Sequence, residues 1–277
     1  MAGGADRSLE VWRDLREWWL QRGVDYWTDD PTDRSGEGWV RVDAFGDDPQ
    51  RLRSFVDAYG ERISVDDTKA AAALLAKRLS SMLAFPPTVA WMRWNRVPRV
   101  TPETAWVRFN ENVPDRVAVE APRMWVLADD DAAGADDVDV VDEDGLLEAL
   151  ATSSFDETMS SVIDPINAVI RTGSRHLWGN LALVAINSAL WAGDSHDPWG
   201  KGARLLAARA PLARTLDAEP AQRADTGSFL VALRKTCCLA YENVEHGYCA
   251  SCSLLDRDER LVDLTRRIGD QWRDRPR

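Results

Sequence analysis

The chain has 277 residues, 45% of them hydrophobic and 29% charged, which is the composition of a globular protein of one or two domains. At this length folding buries about 75% of the unfolded surface, so stability does not require disulfides. With 34 basic against 46 acidic residues the net charge is −12, which argues against nucleic acid or an anionic membrane as the main partner, because both select for positive charge. No run approaches the roughly eighteen apolar residues of a membrane span, and MAGGADRSLE holds no apolar stretch of the signal-peptide kind, so a cytoplasmic protein is expected. A reducing compartment disfavours structural disulfides, yet all four cysteines lie between Cys237 and Cys252.

Trp12, Leu15 and Trp19 at helical spacing predict an amphipathic helix over 8–22, with Ser8 placed to cap it and Gly23 to stop it. Two more helices are predicted over 49–63 and 66–83, each entered through an aspartate or a proline. After Pro86-Pro87, residues 88–97 are read as a short helix, since two prolines make a natural start. Strand character is confined to 106–109, 116–120 and 124–127, where β-branched and aromatic residues recur between turn formers, and a small antiparallel sheet is expected.

Residues 129–144 carry nine carboxylates and no basic residue and read as an exposed, mobile linker. A calcium loop does not fit them, because the required glycine and terminal glutamate are not at the right offsets. Beyond Gly145 helices are predicted over 146–150, 156–170 with a kink or restart at Asp164-Pro165, 175–191, 201–210, 228–239 and 254–272. The expected class is α+β and predominantly helical. An N-terminal region, 1–144, holds the sheet and ends in the acidic linker, and a helical region, 145–277, holds the cysteines. No internal repeat is visible.

Cys237 and Cys238 are adjacent, ten residues follow, and Cys249 and Cys252 form a C-x-x-C pair. A C-x-x-C pair suits two bonds to one tetrahedral metal, whereas adjacent cysteines diverge by about 100° in a helix and point to opposite faces in a strand. A binuclear centre offers such a pair two separate irons, which favours a 2Fe-2S cluster over one zinc. A four-cysteine zinc site, a redox-active dithiol and four free thiols are the competing readings. The three histidines, His176, His196 and His246, are scattered singly, and no catalytic triad signature or glycine-rich phosphate loop is present. His246, in the loop between the cysteine pairs, is the one best placed to make a redox potential depend on pH.

The CC-x10-C-x2-C pattern resembles the signature of the FhuF-like ferric siderophore reductases. Residues 229–241, FLVALRKTCCLAY, are similar to that family's basic, apolar approach to the first cysteine pair, and Gly247-Tyr248-Cys249 resembles its approach to the second. Residues 175–180, RHLWGN, resemble the R-x-L-W-G-N element of actinobacterial members, while the N-terminal half matches only in general pattern, including the 76–79 helix. The resemblance implies a 2Fe-2S cluster on Cys237, Cys238, Cys249 and Cys252 that passes one electron to siderophore-bound Fe(III). It further implies a ferric siderophore as substrate and a reduced ferredoxin or NAD(P)H-dependent reductase as donor. A siderophore-binding or biosynthesis accessory protein with a structural metal centre is the alternative.

Two sets of side chains stand out for these partners. Arg171, Arg175 and Trp178 suit a flat, oxygen-rich chelate, although Trp178 fits core packing equally well. Residues 201–235 hold seven basic against three acidic residues, and a basic rim with Arg234 and Lys235 is expected to dock an acidic donor or attract an anionic complex, unless it is simply a solvated face.

Overall fold

The computed structural model describes residues 7–21, 25–27, 30–192, 197–242 and 248–274. It is a mixed α+β fold whose helices carry most of the core. Helix α1 (Arg7–Leu20) buries Trp12, Leu15 and Trp19. In α2 (Pro49–Arg62) the Asp48 carboxylate accepts from the backbone N–H groups of Gln50 and Arg51, and in α3 (Thr68–Leu83) the Asp67 carboxylate accepts from that of Ala70. These caps satisfy donors that a helix start leaves unpaired. The two prolines do open α4 (Phe85–Trp94), but it starts three residues earlier than expected and ends where Asn95 turns left-handed at φ 55°.

Six short strands form two sheets in the N-terminal half. β1 (Trp39–Arg41), β3 (Ala105–Asn110) and β4 (Val113–Val119) form an antiparallel sheet in the order β1-β3-β4. β2 (Val97–Pro98), β5 (Met124–Val126) and β6 (Val138–Val140) form the other, with β5 and β6 parallel. The acidic stretch expected to be a mobile linker is therefore folded. It supplies β6, Val138 is buried, and Asp130 forms a two-pronged ion pair with Arg96 at 2.7 and 2.9 Å. The cation it lacks in sequence comes from 34 residues upstream.

Helix α5 (Glu143–Leu150), capped by Asp142, runs into a wider π-helical segment, Ala151–Met159, and then α6 (Ser160–Ile170). The predicted kink at Pro165 is thus displaced: Pro165 lies inside α6, and the irregular turn precedes it. There the Thr158 hydroxyl donates to the carbonyls of Ser153, at 2.7 Å, and Val100, at 2.9 Å, joining the widened turn to the loop after β2.

α7 (Ser174–Ala192) is buried around most of its circumference and packs against α3, α4 and α8 (Pro198–Ala208). A helix apolar on nearly every side belongs at the centre of a fold. A short α9 (Ala210–Ala213) leads into an antiparallel hairpin of β7 (Leu216–Arg223) and β8 (Gly227–Arg234), closed by Gly227 at φ 76°. This corrects the helix predicted over 228–239 and the expectation that strands occur only once in the chain. Phe229, Val231, Ala232 and Leu233 are all buried, against α7 and α10 (Arg257–Asp274), so both faces of the strand are apolar and no period-2 alternation shows. One contiguous hydrophobic core runs from Val11 to Ile268.

Candidate metal centre

Strand β8 delivers the chain to the cysteines. Its last residue, Arg234, is only 2% exposed, and from it the chain passes through Lys235 and Thr236 to Cys237 and Cys238, turning at Leu239 with φ 62°. The second pair sits just before α10: the Cys252 N–H donates to the Cys249 carbonyl at 2.9 Å, which folds the C-x-x-C into a tight turn. Asp256 then caps α10, accepting from the N–H groups of Asp258 and Glu259.

The fold brings the two pairs together. The sulfurs of Cys238 and Cys249 lie 3.9 Å apart. Two thiolates on one tetrahedral ion with metal–sulfur bonds of about 2.3 Å are about 3.8 Å apart, so this separation fits a shared metal. The adjacent cysteines diverge as expected: Cys238 is buried, while Cys237 is partly exposed and its sulfur accepts from the Leu239 N–H at 3.3 Å. Cys252 is buried, and the Cys249 sulfur has the Ser251 hydroxyl 3.7 Å away. Among the described residues no three His, Cys, Asp or Glu side chains close up to metal-holding distances, and Cys238–Cys249 is the contact the fold does make.

Arg234 defines the electrostatics. Its Nη2 donates to Asn180 Oδ1 at 2.6 Å and its Nε to the Thr236 carbonyl at 3.0 Å, but among the described residues no carboxylate pairs with it. Burial pulls its guanidinium below its usual range, and the negative forms of Cys238, Cys249, Cys237 and Cys252 oppose that pull. The hydrogen bond with Cys249 depresses the Cys238 thiol most, against its burial, and the charges of Arg234 and Lys77 and the Ala240 N–H add to the effect. Cys249 is pushed up, most by the same hydrogen bond, and Cys237 is raised by burial. A buried cation without a carboxylate is costly, so an anionic centre at the cysteines is the natural complement. Four thiolates around two ferric irons and two sulfides supply about −2. The buried Thr236 hydroxyl, which has no hydrogen-bond partner among the described residues, is one residue from Cys237 and fits the same complement.

The RHLWGN block proves to be the floor of this site. His176 Nδ1 lies 2.9 Å from the Cys237 carbonyl, Asn180 holds Arg234, and Asn180 Nδ2 donates to the Ala73 carbonyl at 2.7 Å, fastening α7 to α3. Gly179 faces Thr236 so closely that any Cβ there would overlap its hydroxyl. Sequence reasoning missed the roles of Gly179 and Asn180; the signal was a glycine next to an amide just before the apolar run 181–186.

The other sequence-derived candidates fare differently. Arg171 closes α6 at φ 55° and Arg175 lies in the first turn of α7; both are exposed, with no ion pair among the described residues. Trp178 is half-buried against the core. Arg234 faces inward and is not available to dock a donor. Lys235 is exposed but bonds Asp217 at 2.5 Å. Most of the basic residues expected to form a rim are engaged: Arg204, Arg209 and Arg223 pair with Asp144, Glu148, Asp156, Asp225 and Asp270, and Lys201 donates to the carbonyls of Trp91 and Met92, while Arg214 is exposed with no ion pair among the described residues. His196 and His246 lie outside the described residues. Among these residues no helix is long and apolar enough to cross a membrane.

No protein-family model and no curated protein sequence matches the chain. Among solved structures it is similar to the aerobactin synthetase IucC from a hypervirulent pathotype of Klebsiella pneumoniae, at 19% identity and a TM-score of 0.34. The match covers 47% of this chain and 24% of the synthetase, so the chain spans about a quarter of that protein's length. The likeness to the FhuF-like reductases therefore rests on the cysteine spacing and the RHLWGN block. What the fold defines is a mixed α+β protein whose four cysteines lie between a C-terminal hairpin and the last helix, with Cys238 and Cys249 in sulfur contact.

Proposed function

We propose that this chain is a ferric siderophore reductase in which Cys237, Cys238, Cys249 and Cys252 hold a 2Fe-2S cluster. The observation that carries the reading is the buried Arg234, which faces the cysteines and has no carboxylate partner among the described residues. When bound, the cluster supplies one electron to the ferric iron of the chelate, and a reduced ferredoxin or NAD(P)H-dependent reductase restores it. Ferric iron is a hard ion held by oxygen ligands, and the ferrous ion formed is softer and exchanges more readily, so the chelate releases it.

The reaction needs no acid, base or nucleophile, in keeping with a site made of thiols, a cation and backbone. Arg234 stabilises negative charge on the thiolates, Asn180 and the Thr236 carbonyl fix the guanidinium, and His176 anchors the Cys237 carbonyl. Such outer contacts orient ligands and tune a metal centre. A single structural zinc is the second reading, because the 3.9 Å sulfur separation fits one tetrahedral ion equally well. The divergence of the adjacent cysteines, one buried and one partly exposed, favours two irons. The test is to reoxidise anaerobically reduced protein with ferric siderophores in the presence of a ferrous trap. A trapped ferrous signal matching the cluster oxidised supports the reductase, and binding without reoxidation overturns it.

A further inference from the structure

A cleft of about 280 Å³ opens between α2, α3 and the turn that follows Cys238. Its wall includes Tyr26, Tyr59, Leu74, Lys77, Arg78 and Ala240, and no carboxylate among the described residues lines it. Ala240 is two residues from Cys238, and α3 packs against the turn it begins, Ala240–Glu242, so the cleft adjoins the buried member of the first cysteine pair. Arg78 lies over the Tyr26 ring, 4.0 Å from its centroid, and donates to the Tyr26 hydroxyl, a neutral partner, and it makes no ion pair among the described residues. Lys77 is exposed and makes no ion pair among the described residues. Burial holds the Tyr59 phenol above its ordinary value, so it stays a hydroxyl. On a chain of net charge −12, two cations with no carboxylate partner among the described residues stand beside two phenolic rings, a setting that suits an anion with flat groups.

We propose that this cleft binds one arm of a negatively charged, oxygen-rich ferric chelate and sets the substrate iron on the Cys238 side of the metal centre. Its volume lies below the roughly 300–1,000 Å³ of pockets that engulf a drug-sized ligand, so the rest of the chelate stays in solvent. The cations recognise charge, and the rings face the planar chelating groups. The proposal rests on the reductase reading for its purpose, but the cleft's ligand chemistry can be measured apart from it.

The probe is the redox-silent gallium(III) complex of a tripodal tris-catechol, a trianion, titrated into the full chain by calorimetry. Lys77→Glu is expected to weaken binding on the order of tenfold, through loss of attraction plus new repulsion. Lys69→Glu makes the same charge change about 12 Å away along α3, beyond the Debye length of about 8 Å at physiological salt, and is expected to bind as wild type. A neutral gallium(III) tris-hydroxamate is expected to bind more weakly and to ignore Lys77→Glu. The cleft is overturned if the trianion does not bind, or if Lys77→Glu binds it no more weakly than Lys69→Glu does. Reoxidation of the reduced protein by the ferric form of the same ligand is followed in parallel. Lys77-dependent binding without reoxidation supports the cleft and overturns the reductase; reoxidation with Lys77-independent binding does the reverse.

Discussion

Replacing Gly179 with alanine sets helix propensity against packing. Propensity alone favours alanine inside α7 by about 1 kcal/mol. A Cβ at this position would overlap the Thr236 hydroxyl, stand 3.1 Å from the Thr236 Cβ and lie 3.6 Å from Arg234 Nη2. Thr236 and Arg234 are both buried, so neither has room to swing aside. Overpacking of this kind costs about 1–3 kcal/mol. The displacement also strains the 2.6 Å bond from Arg234 to Asn180, and a hydrogen bond to a charged group contributes about 1.5–3 kcal/mol. Taking about 2 kcal/mol for each cost and subtracting the propensity gain leaves a net destabilisation of about 3 kcal/mol, a fall in Tm of roughly 6–12 °C for a chain of this size. Thermal melts of anaerobically purified protein, with metal content measured on the same samples, check both the fold and the site. Thr236→Ala removes the overlapping oxygen, which has no hydrogen-bond partner among the described residues, so the double variant should recover at least half of the lost stability. A Gly179→Ala protein as stable as wild type with full metal content, or a double variant no better than the single one, would refute the close approach of α7 to the cysteine lead-in.

Three further outcomes are expected. Arg234→Met leaves the thiolates without their cation, so metal retention should drop and the reduction potential become more negative; unchanged values for both in redox titration would show that Arg234 is merely structural. Cys238→Ser and Cys249→Ser should each abolish the visible absorbance of the centre while the far-ultraviolet dichroism of the helical core stays near wild type. In Asp130, 9% exposed at its side chain, burial pushes the carboxyl up, but the hydrogen bonds from Arg96 and the Ala132 N–H and the Arg96 charge hold it below its ordinary value. A depressed folded value means stability present above the unfolded value of about 3.9 and lost as pH falls through the folded one. Urea melts should therefore show Arg96→Ala weaker than wild type at pH 7, with the gap closing below about pH 4; a constant gap would contradict the pair.

Much of the helical frame was legible because it follows local rules. Asp48 and Asp67 cap where their side chains can reach free N–H groups, and the Trp12, Leu15 and Trp19 stripe needs only helical spacing to be read. The β7–β8 hairpin was not, for two reasons. β7 is built of poor strand formers such as Asp217, Ala218, Glu219 and Pro220, and β8 is covered on both faces, so its apolar run looks like a buried helix. The acidic stretch misled because Arg96, which balances Asp130, is distant in sequence. At the site, cysteine spacing marks the ligands, but the buried state of Arg234 was hidden: a basic residue beside Lys235 reads as surface until α7 is seen to supply Asn180 beneath it.

The most direct measurement is the metal and sulfide content of protein purified without oxygen. A 2Fe-2S centre on the four cysteines predicts a reddish-brown protein with about two irons and two acid-labile sulfides per chain, bleaching on reduction. A colourless protein carrying one zinc and no sulfide would contradict it.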